Sequence, residues 1–245
     1  MLDAHIHIET ENIFFSEFNN YFLNSTNPMD WSIVKDYSIN QSNITGFIGV
    51  HPWYINKVID NDWYKKLEDI ISDNININVG EIGLDGYKRE IDFKTQILFF
   101  TKQLELAIKY NRKVSIHCVK AWDIFFKILE DMQIKTIPAI LHRFEASEEI
   151  LKRLLEYDFY ISFFYTLQYR LKLQKVFLTC PNEKILIESD AENGPDDTNL
   201  NNHYEYCSKL KNTDLNSFKE IVFKNGEIFK SNKTGWRREF RKTQR

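Results

Sequence analysis

The chain has 245 residues, with 32 lysines and arginines against 35 aspartates and glutamates and a formal net charge of −3. Such a length fits one large domain, since α/β barrels commonly run to roughly 200–250 residues without splitting. At 43% hydrophobic and 27% charged, the chain can bury a sizeable core and is neither disordered nor membrane-like; its charge balance excludes a basic coat for nucleic acid.

Short β-branched or apolar runs alternate with longer helical patterns, as in a parallel α/β protein. Leu2–Ile8 and Tyr21–Thr26 read as the first two strands, with 12–20 between them too short to assign. Pro28–Ile39 reads as a helix, with Asn27 as its N-cap and proline at N1. Then come strand Ile44–Val50, the amphipathic helix Asp62–Ile71 and strand Ile75–Ile82. Asp92–Tyr110 carries Phe93, Ile97, Phe100, Leu104 and Ala107 at helical spacing. Strands Lys113–Val119, Ile137–His142, Phe159–Phe164 and Lys184–Asp190 alternate with helices Ala121–Met132, Glu148–Tyr157 (capped by Ser147) and Tyr169–Thr179. Eight strands with such crossovers predict an α/β fold, a single-domain (β/α)8 TIM barrel. Past Asp190, AENGPDDTNLNN reads as a polar loop, and Tyr204–Lys211 and Leu215–Lys230 as C-terminal helices packed on the barrel.

Residues 1–232 are thus expected to form the barrel and 233–245 a basic tail. The bland reading of the tail is a solvated terminus; the sharper one is an electrostatic arm for nucleic acid or a protein partner. No run approaches the roughly 18 apolar residues of a membrane span. The start MLDAHIHIE reads as structure rather than a signal peptide, and Cys118, Cys180 and Cys207 are too few and odd for a disulfide framework. A cytoplasmic location is expected.

The six histidines carry the chemistry. His5 and His7, two apart at the end of the first strand, project to one face. Glu81 ends the fourth predicted strand, His117 the fifth, His142 the sixth and Asp190 the last. Such residues would meet at the C-terminal rim, where barrel enzymes keep their active sites. Four imidazoles and two carboxylates suffice for two divalent metal ions (Mg, Mn or Zn) if one carboxylate bridges. His51 in GVHPW is a fifth histidine at a strand end, and His203 in the late polar segment is expected at the surface. Asp3 and Glu188 lie deeper and either orient ligands or form a satisfied polar floor. Cys118 points away from the face of His117, which leaves it no nucleophilic role.

The segments MLDAHIHIE, GVHPWY, VGEIGLDGYKRE with Gln96, QLELAIKYNRKVSIHCVKAW, LHRF, FYISF and ILIESDA together resemble the TatD family of metal-dependent hydrolases. These are DNase-like members of the amidohydrolase superfamily, and the resemblance runs from Leu2 to about Ala191. It implies that His5, His7 and Asp190 bind one metal, that His117 and His142 hold the second, and that Glu81 bridges. Asp190 would be the general base for a water shared between the cations, and His51 would lie near the site against substrate. The implied activity is that of a DNase, a 3′→5′ exonuclease or phosphodiesterase, with DNA or another phosphodiester as partner. Departures from the family fall on the substrate frame. The Arg-Asn-Glu-Pro type loop after the last aspartate is missing, GLDGYKRE lacks the paired tyrosines, and HRFEAS replaces a small polar motif, which puts Arg143 against substrate. An altered frame keeps two alternatives open: a D-aminoacyl-tRNA deacylase or amidohydrolase on the same site, or a nuclease subunit of a bacterial defence or DNA-processing complex.

Overall fold

In the computed structural model, which describes residues 1–58, 61–88, 90–231 and 236–238, ten strands and eight α-helices follow one another mostly in β–α alternation. The strands are β1 Leu2–Ile6, β2 Asn20–Asn24, β3 Ile44–Ile48, β4 Asn78–Asp85, β5 Val114–Val119, β6 Ile134–Thr136, β7 Ala139–Leu141, β8 Tyr160–Phe163, β9 Ile185–Ile187 and β10 Arg237–Arg238. The helices are α1 Trp31–Asn40, α2 Trp63–Asp73, α3 Phe93–Lys109, α4 Trp122–Asp131, α5 Glu148–Glu156, α6 Leu171–Thr179, α7 Asp197–Leu210 and α8 Leu215–Ser231. Eight strands form one parallel sheet in the order β1-β2-β3-β4-β5-β7-β8-β9. The sheet closes where Asp190 N donates to the His5 carbonyl at 3.0 Å and His7 N to the Ala191 carbonyl at 2.8 Å. The architecture is the expected TIM barrel.

Burial on both faces explains the apolar strands: all eight residues of β4 are buried, charged ones included. On the outside, α3 packs Phe100, Leu104 and Ala107 inward and is capped by Asp92, which accepts from Thr95 N at 3.0 Å. At the N-terminal mouth, Phe229 of α8 packs against Phe22, Phe47 and Tyr160 with ring centroids 5.8, 6.4 and 5.4 Å away. These rings come from strands on opposite sides of the barrel, so α8 plugs that mouth and leaves the other end open.

Several element boundaries differ from the sequence reading. Helix α1 starts at Trp31 rather than Pro28, because Asp30 folds the preceding turn by accepting from Thr26 N at 2.8 Å; Asn27 caps no helix. The fourth strand runs to Asp85, with Ile75 78% exposed and outside it. Pairing with β5 decides this: Val79 and Ile82 through Asp85 find ladder partners there, whereas Ile77 N closes a turn onto the Asn74 carbonyl. The loop after Asp190 is shorter than expected, because Asp196 caps α7 by accepting from Asn199 N at 3.2 Å.

Placing α7 there also corrects His203, which is not at the surface. It is 1% exposed, and its Nε2 donates to the Phe163 carbonyl at 3.1 Å. The polar stretch around it is one face of an amphipathic helix, with Leu200, Tyr204 and Cys207 on the buried side. Residues 233–235 and 239–245 of the predicted tail lie outside the described residues. Of the remainder, Trp236 Nε1 donates to the Arg112 carbonyl at 2.9 Å and β10 pairs antiparallel with β6. Both contacts are at the N-terminal end of the barrel.

Candidate metal centre

Two of the barrel strands carry an irregularity in register beside the proposed ligands. In the β1–β2 pair Asp3 faces Tyr21 but Ile6 faces Leu23, and in β4–β5 Val79 faces Val114 but Ile82 faces Ile116. Each shift inserts one extra residue, next to His5 in β1 and next to Glu81 in β4, and a bulge of this kind re-aims side chains. Glu81 therefore reaches the axis from the middle of a strand rather than from its end.

The sequence-predicted residues converge around Glu81, which is 2% exposed. Its Oε2 lies 3.2 Å from His5 Nε2 and 3.5 Å from His7 Nε2. Its Oε1 lies 2.9 Å from His142 Nε2, 3.2 Å from His117 Nδ1 and 3.3 Å from His51 Nε2. Asp190 Oδ1 sits 3.7 Å from His7 Nε2. None of the three nitrogens near Oε1 is aligned to hydrogen-bond it. Moreover, His5 and His7 meet nitrogen to nitrogen at 3.1 Å, and His117 and His142 at 3.2 Å. Buried imidazole nitrogens facing one another around a buried carboxylate, one of whose oxygens has no hydrogen-bond partner, form a donor set that suits a divalent cation. Donor atoms of His5, His7 and Glu81, of His5, His142 and Asp190, and of His51, Glu81 and His117 lie within 4.8 Å of one another in each group.

The far nitrogen of three rings is hydrogen-bonded by the protein: Ser115 Oγ is 3.2 Å from His5 Nδ1, the Asn24 carbonyl 2.9 Å from His7 Nδ1 and Asp85 Oδ2 3.0 Å from His117 Nε2, while Glu188 Oε1 stands 3.4 Å from His142 Nδ1 without an aligned bond. Such partners fix ring orientation and raise ligand basicity. His51 differs: its Nδ1 accepts from Trp53 N at 3.2 Å, so in the neutral ring the proton is on Nε2, facing Glu81. Burial keeps that ring neutral, pushing its pKa down to about 4 against the pull of Glu81. Burial likewise opposes charge on Glu81, yet the His142, His51 and His5 imidazoles hold its carboxyl well below the ordinary range. For Asp190 the same balance, burial against His142, His5 and His7, ends on the ionised side. Burial pushes the Cys118 thiol far up, which keeps it protonated.

Sequence reasoning missed Asp85. Because the fourth strand was expected to stop at Ile82, the shared parity of Glu81 and Asp85 in NVGEIGLD went unused, although residues two and four apart line one face. Arg143 stands at the rim just past β7, with φ 44°, and its Nη1 is 2.6 Å from Asp190 Oδ2 while its guanidinium covers the Phe164 ring at 4.3 Å. Asp190 has φ 49°, a left-handed conformation uncommon outside glycine that clusters at functional sites.

A parallel barrel with histidines and carboxylates gathered at the C-terminal rim has the fold and donor set of a metal-dependent hydrolase. The chain belongs to the TatD-related DNase family, whose model matches residues 2–229. It is 26% identical to an uncharacterized metal-dependent hydrolase of Buchnera aphidicola, over 92% of this chain and 97% of that protein. It is 27% identical to the 3′-5′ ssDNA/RNA exonuclease TatD of Escherichia coli, over 71% of this chain and 67% of that one. Among solved structures, a TatD homologue of Escherichia coli superposes with a TM-score of 0.76 at 19% identity, over 86% and 85% of the two chains. A TatD family hydrolase of Entamoeba histolytica gives 0.72 at 20% identity, over 86% and 84%. No helix among the described residues is long and apolar enough to cross a membrane.

Proposed function

We propose that the protein is a two-cation phosphodiesterase that shortens single-stranded nucleic acid from its 3′ end. One observation carries the reading: the two oxygens of Glu81 face different histidine pairs, His5 with His7 and His117 with His142. A carboxylate so placed would bridge two cations, with Asp190 completing the His5–His7 side. Divalent cations held there would supply positive charge to phosphoryl oxygens and acidify a nearby water. The chain's own groups supply the remainder. Asp190, kept ionised, takes the proton of the attacking water at a carboxylate oxygen as general base. Arg143, bonded to Asp190 Oδ2, orients that carboxylate and presents a guanidinium to the phosphate. His51, whose Nε2 proton is not aligned on Glu81, presents it to an adjacent substrate oxygen and is not a ligand. The substrate class and polarity follow the named activity of the Escherichia coli relative.

The test uses 5′-labelled single-stranded oligonucleotides with purified protein and Mg²⁺ or Mn²⁺. Shortening from the 3′ end is expected, with kcat lowered about 10²–10⁴-fold in Asp190→Asn, the range for loss of a general base. Uncut oligonucleotide in both metals, with amino acid released instead from a D-aminoacyl ester, would move the assignment to the deacylase alternative.

A further inference from the structure

The rim around the metal centre is electrically lopsided. The loops after β9, β1 and β2, residues 188–196, 7–19 and 25–30, hold no lysine or arginine; toward the rim they carry Glu9, Glu11 and Glu192, whereas Asp30 and Asp196 bond the backbone of their own turns and Glu17 lies beside the start of β2. The cations stand on the loops after β3, β4, β5 and β7, consecutive in the sheet. There they lie over aromatic rings: Lys88 Nζ is 4.1 Å from the centroid of Trp53, and Lys120 Nζ is 4.6 Å from that of Tyr87. Acids occur on this side too: Asp92 caps α3, Glu145 is paired with Arg170 at 2.6 Å, and Glu90 shares the loop of Lys88. Tyr87 is 72% exposed, and Trp53 is fixed in orientation by its Nε1 bond to Asp85 Oδ2 at 2.8 Å, the same oxygen that holds His117. Beside them a cavity of about 440 Å³ is lined by Gly86, Phe93, Lys120 and Trp122, with Asp92 and Asp123 at its wall.

We propose that this sector, built from Trp53, Tyr87, Lys88 and Lys120, is a binding subsite for the nucleotides of a single strand upstream of the cleaved bond. The inference rests on the phosphodiesterase reading above. Rings with a lysine over one face offer what an unpaired nucleotide needs, a surface on which a base stacks and a cation for the phosphate beside it. The acidic loops opposite repel a polyanion, so the strand has one favourable exit from the centre. A duplex presents no free base faces and gains only the phosphate contacts.

Initial rates in Mn²⁺ test this, with oligothymidylates of two, four and eight nucleotides and with bis(4-nitrophenyl) phosphate, which reaches the centre but not the subsite. In the native protein KM is expected to fall about tenfold from the dimer to the octamer, within the range for one stacked base. Tyr87→Ala is expected to raise the octamer KM, relative to that of the small diester, by about the same factor. Lys88→Ala combined with Lys120→Ala should lower the slope of log octamer affinity against log salt by about 1.4, two single-strand phosphate contacts. A KM independent of length in the native protein, which no folding defect of a variant can mimic, would overturn the subsite. So would an unchanged KM ratio in variants that melt as the native protein does. If the native protein hydrolyses neither substrate, the phosphodiesterase reading itself falls, and the subsite with it.

Discussion

Asp85 accepts from four donors: Tyr87 N at 2.7 Å and Lys88 N at 2.8 Å on Oδ1, and Trp53 Nε1 at 2.8 Å and His117 Nε2 at 3.0 Å on Oδ2. These bonds, led by that of His117, outweigh burial and hold its carboxyl well below the usual range. Because its Oδ2 takes the Nε2 proton of His117, the lone pair on Nδ1 is left facing Glu81. An amide cannot accept at both atoms. Asp85→Asn is therefore expected to weaken divalent-cation affinity about 10–100-fold, the usual cost of losing such a partner. Calorimetric titration with Mn²⁺ checks this, and unchanged affinity would remove Asp85 from the account. The proposed ligand residues were legible in the sequence because histidines and acids ended predicted strands. Their partners were not, since Ser115, the Asn24 carbonyl and Asp85 matter only through register and bulges that no single chain segment reveals.

At the scale of elements, β4 shows why its sequence is glycine-rich. A Cβ on Gly83 would lie 1.9 Å from the carbonyl oxygen of His117, so β4 and β5 approach this closely only with glycine there. Gly83→Ala should cost about 1–3 kcal/mol by overpacking and displace His117, seen as a lower melting temperature together with weaker metal binding. Loss of stability with metal affinity intact would contradict that coupling. Helix α7 carries a different prediction. Burial lowers His203 to about 4 despite its bond to the Phe163 carbonyl. The unfolded chain therefore binds the extra proton first, and the contribution of neutral His203 is present above about pH 6.5 and lost as pH falls toward 4. That loss is at most about 3 kcal/mol. His203→Gln keeps a donor for Phe163 and should flatten the stability profile between those pH values; an unchanged acid limb would show that His203 titrates as it does in the unfolded chain. Helix and strand centres were readable because periodicity survives any context. The ends were not: α1 and α7 begin where Asp30 and Asp196 choose their backbone partners.

For the molecule as a whole, polarity is the organising fact. The barrel opens at the C-terminal rim with the histidines and the lysine-bearing loops, while α8, Trp236 and β10 cover the opposite end. A net charge of −3 is compatible with a nucleic-acid substrate, because at the C-terminal rim the lysines stand in one sector, and cations held by Glu81 and its neighbours would add positive charge where the phosphate sits. Alternation of strand and helix made the barrel legible from the sequence, and the order of motifs made the family legible. The rim's polarity was hidden because it arises from loops far apart in the chain. The central claim is that one carboxylate joins two cation sites, and metal stoichiometry tests it most directly. After equilibration with Mn²⁺ and removal of free ion, elemental mass spectrometry should find two Mn per native chain and one per chain in a folded His7→Ala variant. One Mn or none in the native protein would contradict the account.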